Sequence, residues 1–465
     1  MLEESKIELG VKGSFRDPCG SVFMHGGSLY RQVNLMYKEH YDRLMKSGLY
    51  EKLTSEGLLI PHVEVNTIPG QSNTCYKIIH PQKVNFISYS YEWCFSQLKH
   101  AALATLKIQQ IALNFGMILK DASAYNIQFR NGKPIFIDTL SFEIYEQGIP
   151  WVAYRQFCQH FLAPLALMSY TDVRLSQLLR EYIDGIPLDL TSKLLPARTY
   201  FNFFLLTHIH LHAKSQKYFA DKDINVSQHK INRSSLLGLV DNLEDAIKVL
   251  RWKPKNTDWA DYYKNNNYTQ EAFEHKKQIL TIFLNKIHPK NIWDFGANTG
   301  MLSRIASNKS IETISFDADP AAVERNYLEC IKSKEGNILP LLLDLTNPTP
   351  SIGWDNQERI SLKERAPADA AIALALIHHL AISNNVPFKK IAEFFSKCCN
   401  WLIIEFVPKD DGNAKRLLAT RENVFFDYTE INFKEEFNKF FQIIEGIKIK
   451  DSQRIIYLMK KRDML

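Results

Sequence analysis

No run of apolar residues in this 465-residue chain is long enough to span a bilayer: the greasiest stretches, Phe161–Met168 and Phe201–Leu206, fall well short of the roughly 20 residues a membrane helix needs. The first residues, MLEESKIELGVKG, carry acids and no apolar core, so a secretory leader is not expected. The seven cysteines are scattered, odd in number and nowhere spaced as C-x-x-C, which argues against a disulfide scaffold and against a zinc site. A reducing cytoplasm is the expected compartment. A net charge of +6 is mild for this length, and the basic residues are interspersed with acids rather than gathered into a stripe, so nucleic acid is not indicated as a partner. Internal repeats and low-complexity tracts are also missing.

What is there is length enough for two cores. Between about Ser215 and Asn267 the composition turns to Lys, Asn, Asp and Ser, which marks a junction. The expected organisation is an α+β N-terminal domain over 1–225, a linker and helical lead-in over 226–285, and an α/β domain over 286–465. Within the junction, SSLLGLVDNLEDAIKVLRW has helical spacing after a serine cap. The following YTQEAFEHKKQILTIFLNKI repeats that period, with Phe273, Ile279, Leu280 and Phe283 on one face.

Beyond it, NIWDFG, TISFDAD, LPLLLDL, AAIALAL and WLIIEF are short apolar runs separated by amphipathic segments, the pattern of a parallel sheet covered on both faces. Right-handed crossovers would align their carboxyl ends along one ligand-binding edge. The first run leads into Asp294-Phe295-Gly296-Ala297-Asn298-Thr299-Gly300 and then a helix, the setting of a ligand-binding glycine loop. About twenty residues on, the second run ends in acid: Asp317 is placed for a ribose diol, with Asp319 the alternate. Asp344, after the third, is placed to approach an adenine amino group.

DFGANTG and FDAD together resemble the signature of class I S-adenosylmethionine (SAM)-dependent methyltransferases, over Asn291 to Leu465. The resemblance implies a Rossmann-like fold and SAM as cofactor. Asp294, Gly296 and Gly300 would then surround its methionine portion, Asp317 the ribose and Asp344 the adenine, with Asn298 also binding the cofactor. No metal is expected in this domain. Where the acceptor must lose a proton, His378 or His379 is the candidate base, with Glu405 a candidate acceptor contact and Asp410 nearby.

In the N-terminal half, Asp121 is followed by Asn126, and Asp138 ends a second short strand beyond the Asn131-Gly132 turn. This layout resembles the catalytic segment of protein-kinase-like and aminoglycoside-kinase-like folds, which implies a nucleotide and magnesium site, Mg-ATP, at Asp121, Asn126 and Asp138. The sequence departs from that pattern: Lys120 stands where those families have His or Arg, Thr139-Leu140 replaces Phe-Gly, and no G-x-G-x-x-G precedes it. Lys77 is the lysine that could imitate theirs. The whole chain also resembles bacterial two-part proteins related to nodulation-associated methyltransferases, on DPCGSVFMHGGSLYRQVN, ISYSYEWCFSQLKHAAL, LKDASAYNIQF, FIDTLSFE and PWVAYRQFCQHFLAPLAL. That implies two halves acting together, with a small-molecule or glycan acceptor. The competing expectations are phosphoryl transfer in the N-terminal half and a non-catalytic SAM sensor. His208, His210 and His212 read as structural rather than metal ligands, and the runs YFNFFLL and VFFDYTEINF as core.

Overall fold

The computed structural model describes residues 10–68, 72–213, 232–254, 269–419 and 425–463. Of the polar junction, only 232–254 falls among them. The chain divides into two compact units: an N-terminal unit of Met1–Lys253 with Ser351–Ile360, and a C-terminal unit of Pro254–Pro350 with Ser361–Leu465.

The N-terminal unit is α+β. Strands β1 (Gly20–His25), β2 (Ser28–Asn34), β3 (His62–Val65) and β4 (Cys75–Pro81) form an antiparallel sheet in the order β1-β2-β4-β3. The helix Phe95–Asn114 follows, with one apolar face fully buried. Then come two small antiparallel pairs: β5 (Met117–Leu119) with β8 (Phe142–Ile144), and β6 (Ile127–Arg130) with β7 (Lys133–Phe136), the latter closed by the Asn131-Gly132 turn. The helix expected inside the junction exists, as Arg233–Val249, but its cap is Asn232, whose side chain accepts from Ser235 N–H, rather than a serine. It is held on the helix Phe95–Asn114 by Lys99, which donates to the carbonyls of Lys248 and Leu250, and by Gln110, which donates to Asp241. It is therefore part of the N-terminal unit's core rather than of a linker. His208 and His210 lie on helix, not strand, and are spoken for: His208 meets Tyr154 and Asn242, and His210 meets Ser192 and Thr199.

The C-terminal unit carries a seven-stranded sheet of β9 (Asn291–Phe295), β10 (Glu312–Asp317), β11 (Ile338–Leu342), β12 (Ala368–Ala373), β13 (Cys399–Phe406), β14 (Phe441–Lys448) and β15 (Ile455–Lys461), ordered β11-β10-β9-β12-β13-β15-β14. The first five are mutually parallel, and these are the five apolar runs read from the sequence. β15 runs antiparallel to both β13 and β14. This is a Rossmann-like open sheet that ends on one side in an antiparallel hairpin the sequence pattern did not announce. β14 is an edge strand with alternate residues exposed, so its apolar content is halved. The helix Gln270–Ile287, capped by Thr269, lays Ile279, Leu280, Phe283 and Leu284 against Ile292, Ile372, Ile403 and Leu458 of the sheet. Full burial of each such side chain stabilises the fold by about 1.5–3 kcal/mol before entropy is counted.

Candidate cofactor-binding site

At the carboxyl ends of β9, β10, β11 and β12 lies a cavity of about 550 Å3. β9 is the inner strand between β10 and β12, so the loop that leaves it meets the groove where strand order reverses, the place ligands take in open α/β sheets. Gly296 and Ala297 turn the chain by donating their N–H groups to the Phe316 carbonyl of β10. Gly300, at φ +76°, brings the loop against the helix Pro320–Ser333 so closely that a Cβ there would stand 2.3 Å from the Asn326 side chain.

Two carboxylates face this cavity from the sheet. Asp294 is buried, its Oδ2 accepting from Ser303 Oγ at 2.6 Å, and Ser303 is itself braced by Ser315. Burial, aided by the neighbouring Asp317, pushes its carboxyl up to about 7. Asp317 accepts from the Asn298 N–H at 2.7 Å on one oxygen and from the Asp319 N–H at 2.9 Å on the other, and burial pushes it up to about 6. Asp319 has a job of its own, capping the helix Pro320–Ser333 through the Ala321 N–H. Asp344 lines the cavity farther along, exposed, its Oδ1 taken by the backbone and hydroxyl of Thr346. Gly296 and Asn298 line the cavity, whereas Gly300 shapes it from behind.

The histidines separate. His379 lines the cavity, and burial with Arg454 nearby pushes its pKa down to about 4, so it is a neutral imidazole at pH 7. His378 is wholly buried, is not on the cavity wall and is pushed well below the usual histidine range by the same cause. Glu405, read from the sequence as an acceptor contact, is instead fully buried under the site. One oxygen accepts from Lys276 Nζ at 2.6 Å and from the Ala375 N–H at 2.8 Å, and the other faces Arg454 at 3.4 Å. Arg454 in turn forks onto Asp411 at 2.7 and 2.8 Å. The Ala375 backbone is left-handed, φ +53°, so Glu405 pins a strained turn on the cavity wall. Asp410 stands at the surface, 3.9 Å from Lys415.

Lys276 and Phe273 also line the cavity, and sequence reasoning assigned neither to it. A signal existed for Lys276: Ala272, Lys276, Ile279, Leu280 and Phe283 share the buried face of one helix, and a lysine among core positions needs a partner. Arg454 sits between two strands with no local pattern to betray it.

In the N-terminal unit Asp121, Asn126 and Asp138 do come together. Asp121 is pushed up by burial and by Asp138, and accepts from the Ser123 N–H and the Asn126 side chain. Asp138, however, is already matched by Arg31 at 2.6 Å and accepts from the Leu140 N–H. Lys77 pairs with Glu64 on the neighbouring strand β3 at 2.7 Å.

No protein-family model matches the chain. The nodulation protein NoeA of Rhizobium meliloti (strain 1021) is 34% identical over 464 residues, spanning 97% of this chain and 96% of that protein. Among solved structures, a SAM-dependent methyltransferase from Aquifex aeolicus overlays 44% of this chain and 100% of its own at TM-score 0.33 and 14% identity. Magnesium protoporphyrin IX methyltransferase (ChlM) from Synechocystis PCC 6803, with bound SAH, overlays 44% of this chain and 93% of its own at TM-score 0.32 and 14% identity.

Proposed function

This chain belongs to the family of the nodulation protein NoeA, and we propose that its C-terminal unit binds SAM in the cavity described and transfers the methyl group to an acceptor. One observation carries the reading: two carboxylates, the buried Asp294 and the half-buried Asp317, face one cavity at the glycine loop of a class I sheet, both held above their ordinary range by desolvation that nothing nearby fully offsets. A ligand bearing an ammonium group and a ribose diol offers the missing donors. Lys276, on the same wall, suits the carboxylate of the methionine portion. Gly296 and Asn298 contour the loop around that portion, and Asp344 stands toward the adenine end.

When bound, SAM supplies a sulfonium-activated methyl group, so the protein's task is alignment and exclusion of water. Phe273, Leu302, Leu374 and Leu380 supply the apolar wall that excludes it. Glu405 fixes the turn at Ala375 from below, and His379 presents a neutral nitrogen that can accept a hydrogen bond from an acceptor hydroxyl or amine and so orient it. The acceptor is proposed to be a small molecule or glycan.

Calorimetric titration of SAM and of SAH into the full chain tests this. Binding weakened by about 10–100-fold in Asp317→Ala is expected, since hydrogen bonds to a charged group contribute about 1.5–3 kcal/mol each. Full affinity in that variant would sink the assignment. Binding without methyl transfer to any acceptor would favour a sensor over an enzyme. For the N-terminal unit, the meeting of Asp121 and Asn126 keeps Mg-ATP as a second reading, and the Arg31 pairing on Asp138 opposes it. A heat of Mg-ATP binding that Asp121→Ala removes would establish it.

A further inference from the structure

The C-terminal unit holds a second cavity, of about 400 Å3, that the methyl-donor site does not use. Its walls include Asn385 and Lys389, from the segment after β12, and Phe425 and Asp427, from the described residues after β13. Both segments leave carboxyl ends of parallel strands, so the cavity opens on the ligand-binding edge of the sheet, over the β12–β13 half. One stretch of chain serves both sites: Leu380, Ser383 and Asn384 line the cofactor cavity, and Ala381 and Asn385 the second one.

The floor is aromatic and already rigid. Phe388 and Tyr428 lie 5.1 Å apart, both packed on Phe406, with Phe388 also on Phe433, and Tyr428 donates its hydroxyl to the Val407 carbonyl at 2.7 Å. Above the floor the polar groups are mostly acceptors or amides. Glu436 is the informative one: its Oε1 meets Lys439 at 2.5 Å, whereas Oε2 is buried with no hydrogen-bond partner among the described residues. A buried carboxylate oxygen without a donor is costly, so the site calls for a donor from a ligand. Charge narrows the choice. Asp427 and Glu436 are balanced by Lys389 and Lys439, so a cation would compete with two ammonium groups and a phosphate would meet two carboxylates. A neutral ligand with an apolar face for the aromatic floor and hydroxyls for the rim fits both demands.

We propose that this cavity binds a neutral, polyhydroxylated unit, a saccharide portion of the methyl acceptor, with Glu436 Oε2 accepting from one of its hydroxyls. This deepens the methyltransferase reading and rests on it. Binding there, away from the reacting atom, would be the remote contact that holds an acceptor in register for transfer.

The test is an array of neutral, aminated and sulfated oligosaccharides probed with the full chain in the presence of SAH, alongside SAM calorimetry on the same samples. Retention on neutral saccharides is expected, falling at least tenfold in Glu436→Ala and in Asn385→Gly, which keeps the left-handed backbone found at Asn385. SAM affinity should stay within twofold in both variants, which shows that they fold. A blank neutral array with normal SAM heats overturns the saccharide assignment and leaves the methyltransferase reading standing. Neutral saccharide binding without any SAM heat does the reverse. Preference for the charged glycans, or neutral binding indifferent to both variants, also overturns it.

Discussion

The two raised carboxylates make a pH prediction with a definite sign. Asp294 and Asp317 have folded-state values of about 7 and about 6, above the ordinary aspartate range, so between roughly pH 4 and 7 the native state holds more protons than the unfolded one. Stability of the free protein therefore declines as pH rises through that window. SAM binding needs the ionised forms, so its affinity should climb from pH 5.5 to 7.5, and binding at pH 6.5 should release protons. Calorimetry in two buffers of different ionisation heat measures that release, and none, with flat affinity, would contradict the placement of the ligand ammonium at Asp294. His379 gives a companion test. Because its pKa is about 4, it is neutral over the whole working range, so the acid limb of the methylation rate should follow the carboxylates. His379→Ala should lower kcat by about 10-fold, the loss of one orienting hydrogen bond, with SAM affinity kept, while equal loss in His378→Ala would show that packing, not acceptor orientation, is at stake.

At the level of elements, the site is made where a glycine loop, a helix and a buried ionic network converge. Gly300 combines a left-handed backbone with a contact that leaves no room for a methyl group, so Gly300→Ala should cost about 1–3 kcal/mol from backbone strain alone, plus the clash with Asn326. Adding Asn326→Ala relieves the clash but not the strain, and a partial recovery of Tm in the double variant is the expected result. Glu405 joins the helix Gln270–Ile287, the turn at Ala375 and, through Arg454, the loop joining β14 to β15. Glu405→Ala takes the carboxylate away from buried Lys276, while Arg454 keeps its fork onto Asp411, and breaking a buried pair of this kind costs about 3–5 kcal/mol. Chemical denaturation should show that loss, whereas an effect below 1 kcal/mol would mean that the network has relaxed into water.

Across the whole chain, sequence order and structural membership part company. Ser351–Ile360 lies between β11 and β12 in sequence, yet it belongs to the N-terminal unit. There Glu358 accepts both donors of the Arg16 fork at 2.6 and 2.7 Å, the Ile360 N–H donates to the Tyr89 hydroxyl, and Arg359 lies 3.9 Å over the Tyr125 ring, in the turn between Asp121 and Asn126. Hydrogen exchange read by mass spectrometry should show 351–360 opening with the N-terminal unit, and Arg359→Ala should speed exchange around Tyr125. Exchange that follows β11 and β12 instead would refute that membership.

The sequence alone determined what depends on local order: the five parallel strands, because each is a continuous apolar run, and the glycine loop with its following acid, because that chemistry sits within a few residues. It also carried the resemblance that named the fold. Tertiary structure alone decided which residues share a cavity. It put His379 on the wall and His378 behind it, sent Glu405 beneath the site, brought in Lys276 and Arg454, moved the Arg233–Val249 helix out of the linker and set Arg31 on Asp138. Each of these depends on charges and surfaces that meet across 30 or more residues or across a single helical turn, and burial, which sets their energies, has no local signature.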